Sequence, residues 1–149
     1  RLIRRQRQMC IRDRVCGFTD PDNRRTYPWG HEDKELIDFH KAAIKMHKEN
    51  EVLRTGSYKQ LYSAHNVIAY GRFTSDDAVI VVVNNGEDEI RVNIPAWETG
   101  LAMDDDVEQI MVTFEGGYST DRQGYRLKDG ILNIGLRKTS ATVLRRLRW

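Results

Sequence analysis

The residues best equipped for chemistry lie in one short stretch. Asp20-Pro21-Asp22-Asn23-Arg24-Arg25 sets two carboxylates, one amide and two guanidiniums side by side, with Tyr27 and Trp29 close behind. Carboxylate and guanidinium forks grip pairs of hydroxyl groups, and aromatic rings offer flat faces to the apolar side of a pyranose. The set therefore suits a carbohydrate. It equally suits an Asp-Pro turn closed by an ion pair within the loop, with Trp29 packed as core, and composition alone leaves both readings open.

The remaining candidates are weaker. His40 and His47 share a helix face at a spacing too long for two histidines one turn apart to grip zinc, so solvated or packing roles are expected. Asp104-Asp105-Asp106 lacks the spacing of a calcium loop and reads as a solvated turn. No GxSxG, paired CxxC or phosphate-cradling glycine loop is present, so triad, zinc and nucleotide chemistry have no motif to stand on. No metal and no cofactor is expected.

Charge is unevenly spread. Residues 1–14 hold six arginines against one aspartate, and the rest of the chain compensates to a formal net charge of +2. Such an arm could hold phosphates. Yet it shows neither helical nor strand period, the chain opens on Arg, and RQRQMCIRDR resembles translated sequencing-adapter read-through. Residues 1–14 are therefore read as a non-native or disordered leader and kept out of the fold, and no nucleic-acid partner is expected. That leaves Cys16 alone, with no disulfide framework, which fits a reducing compartment and a cytoplasmic location. The most apolar run, 78–83, is strand-sized, far below the ~18 residues of a membrane span, so no membrane partner is expected. Arg145-Arg146-Leu147-Arg148-Trp149 reads as a solubilising tail.

The elements that must position the loop change character along the chain. Residues 15–30 mix Gly, Pro, Asp, Asn and Arg with aromatics, the composition of an ordered, site-bearing loop. From Glu32 to about Arg54 the spacing predicts a helix, with Leu36, Phe39, Ala43 and Met46 on one stripe widened by Ile37 and Ile44. Glu32, Asp33 and Glu35 favour its start, Arg54 and Gly56 mark its stop, and Asn50 is placed to end the regular part earlier. Beyond Gly56 the period becomes two or fully apolar, predicting strands near 58–62, 66–73, 78–84, 89–94, 108–114, 131–134 and 141–144. Turns at Ser75-Asp76-Asp77, Asn84-Asn85-Gly86, Glu115-Gly116-Gly117 and Lys128-Asp129-Gly130 separate them. Seven short strands at this spacing predict an antiparallel sandwich. A lone helix with a long apolar stripe must pack on something, which suggests a chain cut from a larger protein.

The segment CGFTDPDNRRTYPWG resembles the stretch after the last barrel strand in the α-amylase superfamily, glycoside hydrolase family 13, nearest to the neopullulanase, cyclomaltodextrinase and maltogenic amylase group. There an Asp-Pro-x-Asn-Arg stretch precedes an aromatic, Pro-Trp, the eighth barrel helix and a β-sandwich called domain C. The resemblance implies an α+β fragment: residues 15–56 as the terminal loop and last helix of a truncated (β/α)8 barrel, and residues 57–149 as an all-β antiparallel sandwich. It implies that Asp20 and Arg24 hold a glucose unit on the non-reducing side of the cleavage point, with Asn23 and Arg25 as scaffold and Trp29 packing. It further implies a parent that cleaves α-1,4-glucosidic bonds, with α-1,6 bonds as an extension, by a retaining mechanism. The Asp nucleophile and Glu acid/base of that mechanism match nothing in this chain, so no catalytic residue is assigned and the chain alone is expected to be inactive. The expected partners are an α-glucan or maltooligosaccharide and the missing barrel, with a homodimeric parent left open. The competing expectation is a stand-alone carbohydrate-binding sandwich.

Overall fold

Helix α1, Lys34–Glu49, starts where a side chain satisfies its first turn. Asp33 accepts a hydrogen bond from the Leu36 amide at 3.0 Å, an N-cap that pairs one of the donors a helix start leaves open. The computed structural model describes residues 29–64 and 66–147. Asn50 ends the helix as expected: its amide and its side-chain Nδ2 both donate to the Met46 carbonyl, at 3.2 and 2.7 Å. No residue of α1 is buried; Leu36, Ile37, Phe39, Ala43 and Met46 are half-buried, and Ile44 is 54% exposed. The chain divides within this helix, between Lys45 and Met46, into two units. No described helix is long and apolar enough to cross a membrane.

The second unit continues into a single turn, α2 (Val52–Thr55), and then into nine strands: β1 (Ser57–Ala64), β2 (Val67–Phe73), β3 (Ala78–Asn84), β4 (Ile90–Pro95), β5 (Asp106–Phe114), β6 (Gly117–Ser119), β7 (Gln123–Arg126), β8 (Ile131–Leu136) and β9 (Ser140–Arg146). All pair antiparallel. The large sheet runs β1-β2-β3-β9-β5-β6, with β7 also on β5, and β4 pairs β8 in a second, two-stranded sheet. Alternation sets the faces. In β4 and β8, Val92, Ile94, Leu132, Ile134 and Leu136 point inward, while Arg91, Asn93 and Asn133 form a hydrogen-bonded ladder on the other side, at 2.7 and 2.6 Å. Leu61, Val67, Ala69, Ile80 and Val82 of the large sheet complete the core.

Strand β3 is apolar on both faces because it is covered on both. Ile80 and Val82 face the core, and Val79, on the opposite face, is fully buried as well; Met111 and Val143 share that outer face with it and are buried too. Val52 of α2 is buried, and α2 packs on β2 and β3. A continuous apolar run is the sequence mark of such a two-sided strand.

The turns follow their chemistry. Gly116 (φ 90°) and Gly130 (φ 74°) take the left-handed conformation that glycine adopts without strain. Buried Asn84 accepts from the Gly86 amide at 2.9 Å and donates to the carbonyls of Asp88 and Arg137 at 2.9 and 2.8 Å, so one side chain ties two connections together. At the 74–77 turn, Thr74 Oγ1 accepts from the amides of Asp76 and Asp77.

Two expectations need correction. Nine strands form among the described residues, not seven, because β6 and β7 are short, polar hairpin strands held by backbone pairing to β5. Arg145 and Arg146 are not a solvated tail: both belong to β9, and each is paired, Arg145 with Glu108 at 2.7 Å and Arg146 with Asp105 at 3.1 Å.

Candidate functional site

Asp20 and Arg24, with Asn23 and Arg25, lie outside the described residues. The described chain opens at the far end of their loop. Trp29, expected to pack, is 80% exposed. Gly30 follows with φ 83°, and its amide donates to Glu32 Oε1 at 2.9 Å. That bond and the Glu32 backbone amide hold the exposed carboxyl below its ordinary pKa. Glu32 thus braces the turn, and Asp33 caps the helix immediately after it.

The histidines and the aspartate run are structural. His40 Nδ1 meets the Leu36 carbonyl at 2.8 Å, and its ring stands edge-on to Phe39 at 5.6 Å. His47 is exposed on the same helix. In the aspartate run, Asp105 accepts from the Ala102 amide at 2.8 Å as well as from Arg146, and Asp104 lies 3.8 Å from Arg126. Asp104 stays 83% exposed in a turn, as expected, and Asp105 ties that turn to β9. Among the described residues no group of three or more His, Cys, Asp or Glu is placed to hold a metal ion.

A cleft of about 620 Å³ opens in the strand unit, lined by Asn50, Val52, Thr74, Asp77, Glu108 and Arg145 among others. Its centre is a clamp. Glu108 Oε1 accepts from Arg145 at 2.7 Å and from Arg122 at 3.2 Å, and Arg145 reaches Asn50 Oδ1 at 3.5 Å. A carboxylate oxygen shared by two guanidiniums is a strong charge-assisted contact. The arrangement joins β5, β9 and the end of α1, and it holds structure together without offering a reactive group.

Sequence reasoning passed over Trp97. It stands in a 3-10 turn, Ala96–Thr99, between β4 and β5, and is 48% exposed beside Met103, which is 57% exposed. A bulky indole placed in a turn, after Pro95 and before a polar residue, was the available signal.

No family model matches the sequence. The chain is 42% identical over 82 residues to an amylopullulanase of Thermoanaerobacter thermohydrosulfuricus, covering 48% of this chain and 6% of that protein. It is 38% identical over 73 residues to a cyclomaltodextrinase of Thermoanaerobacter pseudethanolicus, covering 48% of this chain and 13% of that protein. The chain thus spans a small part of the curated relatives it matches. In fold it is similar to an α-amylase of Geobacillus thermoleovorans solved with acarbose, with a TM-score of 0.73 at 21% identity, over 89% of this chain and 27% of the other. A solved cyclomaltodextrinase matches with a TM-score of 0.66 over 91% of this chain and 22% of its own. That likeness extends upstream of the strands, which begin only at Ser57. Over about half of its length this chain is thus similar in sequence to amylopullulanases and a cyclomaltodextrinase, and its fold is similar to that of part of a solved α-amylase.

Proposed function

We propose that the chain is the carboxy-terminal part of an α-glucan hydrolase, in which residues 57–149 form domain C and the 15–30 loop contributes to the sugar cleft. The 42% identity to an amylopullulanase carries this reading. In it the parent cleaves α-1,4-glucosidic bonds, and α-1,6 bonds with them, by a retaining mechanism. Such a mechanism needs two carboxyl groups about 5 Å apart, one as nucleophile and one as acid and then base. Those groups come from the rest of the parent, and this chain alone hydrolyses nothing. Asp20 accepts hydrogen bonds from the hydroxyls of a bound glucose unit, and Arg24 donates to them or orients Asp20.

Two packing features support a larger parent. The apolar stripe of α1 contains no buried residue, and the outer face of the large sheet carries Ile68 and Tyr58 exposed at 39% and 58%. Apolar surface of this kind is favourable to cover. In this reading the barrel of the parent covers it.

The test is Asp20→Ala in the parent carrying its barrel. Turnover of long maltooligosaccharides should fall by about tenfold or more, as expected for loss of a charged hydrogen bond to substrate, with the melting temperature unchanged. Equal loss on all substrates together with a lower melting temperature would remove the sugar-binding role. Retained full activity would remove it as well.

A further inference from the structure

We infer that Asn85-Gly86 is a self-modification site, an Asn-Gly pair that converts to isoaspartate with loss of ammonia and is held in check by the side chain of buried Asn84. The pair stands in the connection between β3 and β4, and it is the one Asn-Gly dipeptide of the sequence. Asn85 is exposed, so water reaches its side chain. Glycine at the next position matters because the attacking atom is the residue 86 nitrogen, and no Cβ stands beside it. At Asn66, Asn93 and Asn133 the following residue is Val67, Ile94 or Ile134, whose branched side chains crowd the corresponding nitrogen.

The reaction needs no reagent except water. The Gly86 nitrogen loses its proton and attacks Asn85 Cγ; the Cγ–Nδ2 bond breaks, and Nδ2 takes up a proton and leaves as ammonia. The product is a succinimide, in which the Gly86 nitrogen is bonded both to Cγ and to the main-chain carbonyl carbon of residue 85. Water then opens the ring. Breaking the bond to Cγ leaves aspartate, whereas breaking the bond to the main-chain carbonyl carbon leaves isoaspartate, with the chain rerouted through Cβ and Cγ. Nothing is oxidised or reduced.

The fold opposes the first step. The Gly86 amide donates to Asn84 Oδ1 at 2.9 Å, so the attacking nitrogen has its proton engaged and turned toward residue 84. The Asn85 amide donates to the Asn66 carbonyl at 2.9 Å, and the Gly86 carbonyl accepts from the Thr139 amide at 2.9 Å, which pins the dipeptide on both sides. Asn84 is itself fixed: it is 2% exposed and donates to the carbonyls of Asp88 and Arg137. Ring closure therefore waits for a local opening that breaks the Asn84–Gly86 bond, and its rate follows the population of that open form.

The placement gives the modification a consequence. The β3–β4 and β8–β9 connections each cross between the large sheet and the two-stranded sheet, and Asn84 ties one to the other. Isoaspartate at position 85 lengthens the backbone by a methylene and sets a new carboxylate ahead of Glu87-Asp88-Glu89. The longer backbone carries the Gly86 amide away from Asn84 Oδ1, and the added charge is repelled by its neighbours. Modification thus loosens the tie between the two crossings.

The experiment is incubation of the 149-residue chain in mildly alkaline buffer, with and without urea, followed by peptide mapping of each asparagine and labelling by an isoaspartate-specific methyltransferase. Isoaspartate is expected at position 85 ahead of every other described asparagine. Its formation should be at least about tenfold faster in urea than in buffer, the factor that breaking one well-held hydrogen bond accounts for. Asn84→Ala should speed formation by about tenfold in buffer and leave the rate in urea unchanged. Gly86→Ala should suppress it in urea. The modified wild-type chain should melt about 3 °C lower than the fresh chain. If Asn84→Ala fails to fold, its rates in buffer and urea will be the same, and the wild-type ratio of the two rates carries the test by itself. Equal wild-type rates in buffer and urea, a folded Asn84→Ala chain that reacts no faster than wild type, undiminished reaction of Gly86→Ala in urea, or earlier reaction at another described asparagine would each overturn the proposal.

Discussion

Helix α1 and the paired strands solve the same problem to different degrees. The strand unit closes its own core: Ile80, Ile94, Leu132 and Ile134 are at or below 1% exposure, contributed by both sheets. Helix α1 has a well-formed cap at each end, through Asp33 and Asn50, yet buries none of its residues. Local signals thus suffice to start and stop a helix, but its apolar stripe needs an external surface. The contrast teaches that the strands are the self-sufficient part of the chain and the helix the dependent one.

The largest expected effect tests that contrast directly. Ile134→Ala removes a fully buried side chain between the sheets and should cost about 2–5 kcal/mol of stability in urea unfolding. Leu36→Ala, on the half-buried stripe, should cost less than about 1 kcal/mol in this chain. A comparable cost for the two would break the comparison. A larger Leu36→Ala cost in the parent carrying its barrel would sharpen it, by showing the stripe covered there.

A smaller effect probes how tightly the strand unit is assembled. Gly71 of β2 faces Thr99 of the 3-10 turn so closely that a Cβ would collide with Thr99 Cγ2. Gly71→Ala should therefore cost about 1–3 kcal/mol through overpacking. Thr99→Ser removes the obstructing methyl and retains the hydroxyl that donates to the Ala96 carbonyl. The double variant should recover most of the loss, a coupling read by a double-mutant cycle. Additive losses would show that the collision is not the cause.

How much was legible followed the range of the interactions. Strand β3 could be read from 78–83 because burial on both faces writes a continuous apolar run. The helix start near Asp33 and the stop at Asn50 were readable because helix ends are local, although Asp33 proves to cap the helix where it was expected inside the first turn. The shortest strands were not: Gly117–Ser119 and Gln123–Arg126 have no apolar alternation, and backbone pairing to β5 defines them. Arg145 and Arg146 were misread for a related reason, since their partners Glu108 and Asp105 lie far back in the sequence. Trp97 was missed because its setting depends on Gly130, which packing alone brings beside it. Asp20 and Arg24 were assigned only through the resemblance to the α-amylase family, and they lie outside the described residues.

The smallest expected effect concerns the surface of the strand unit and its dependence on pH. Glu115, in the β5–β6 turn, lies 2.8 Å from Lys138, and both groups are exposed. The hydrogen bond from Lys138 lowers the Glu115 pKa, and the same bond raises that of Lys138. For the carboxyl, the stabilisation is present above its unfolded pKa and is lost as pH falls through the lower folded value. For the ammonium, it is complete below its unfolded pKa and is lost as pH rises through the higher folded value. The pair therefore contributes a plateau across neutral pH, bounded by an acid edge and an alkaline edge. Solvent and salt screen an exposed pair strongly. Glu115→Gln should lower the melting temperature at pH 7 by less than about 3 °C and should flatten both the acid and the alkaline edge attributable to the pair, an effect that shrinks further in 1 M salt. A shift as large as that of Gly71→Ala would mean that this edge of the sheet depends on charge, in contrast to the apolar core that holds the rest of the strand unit.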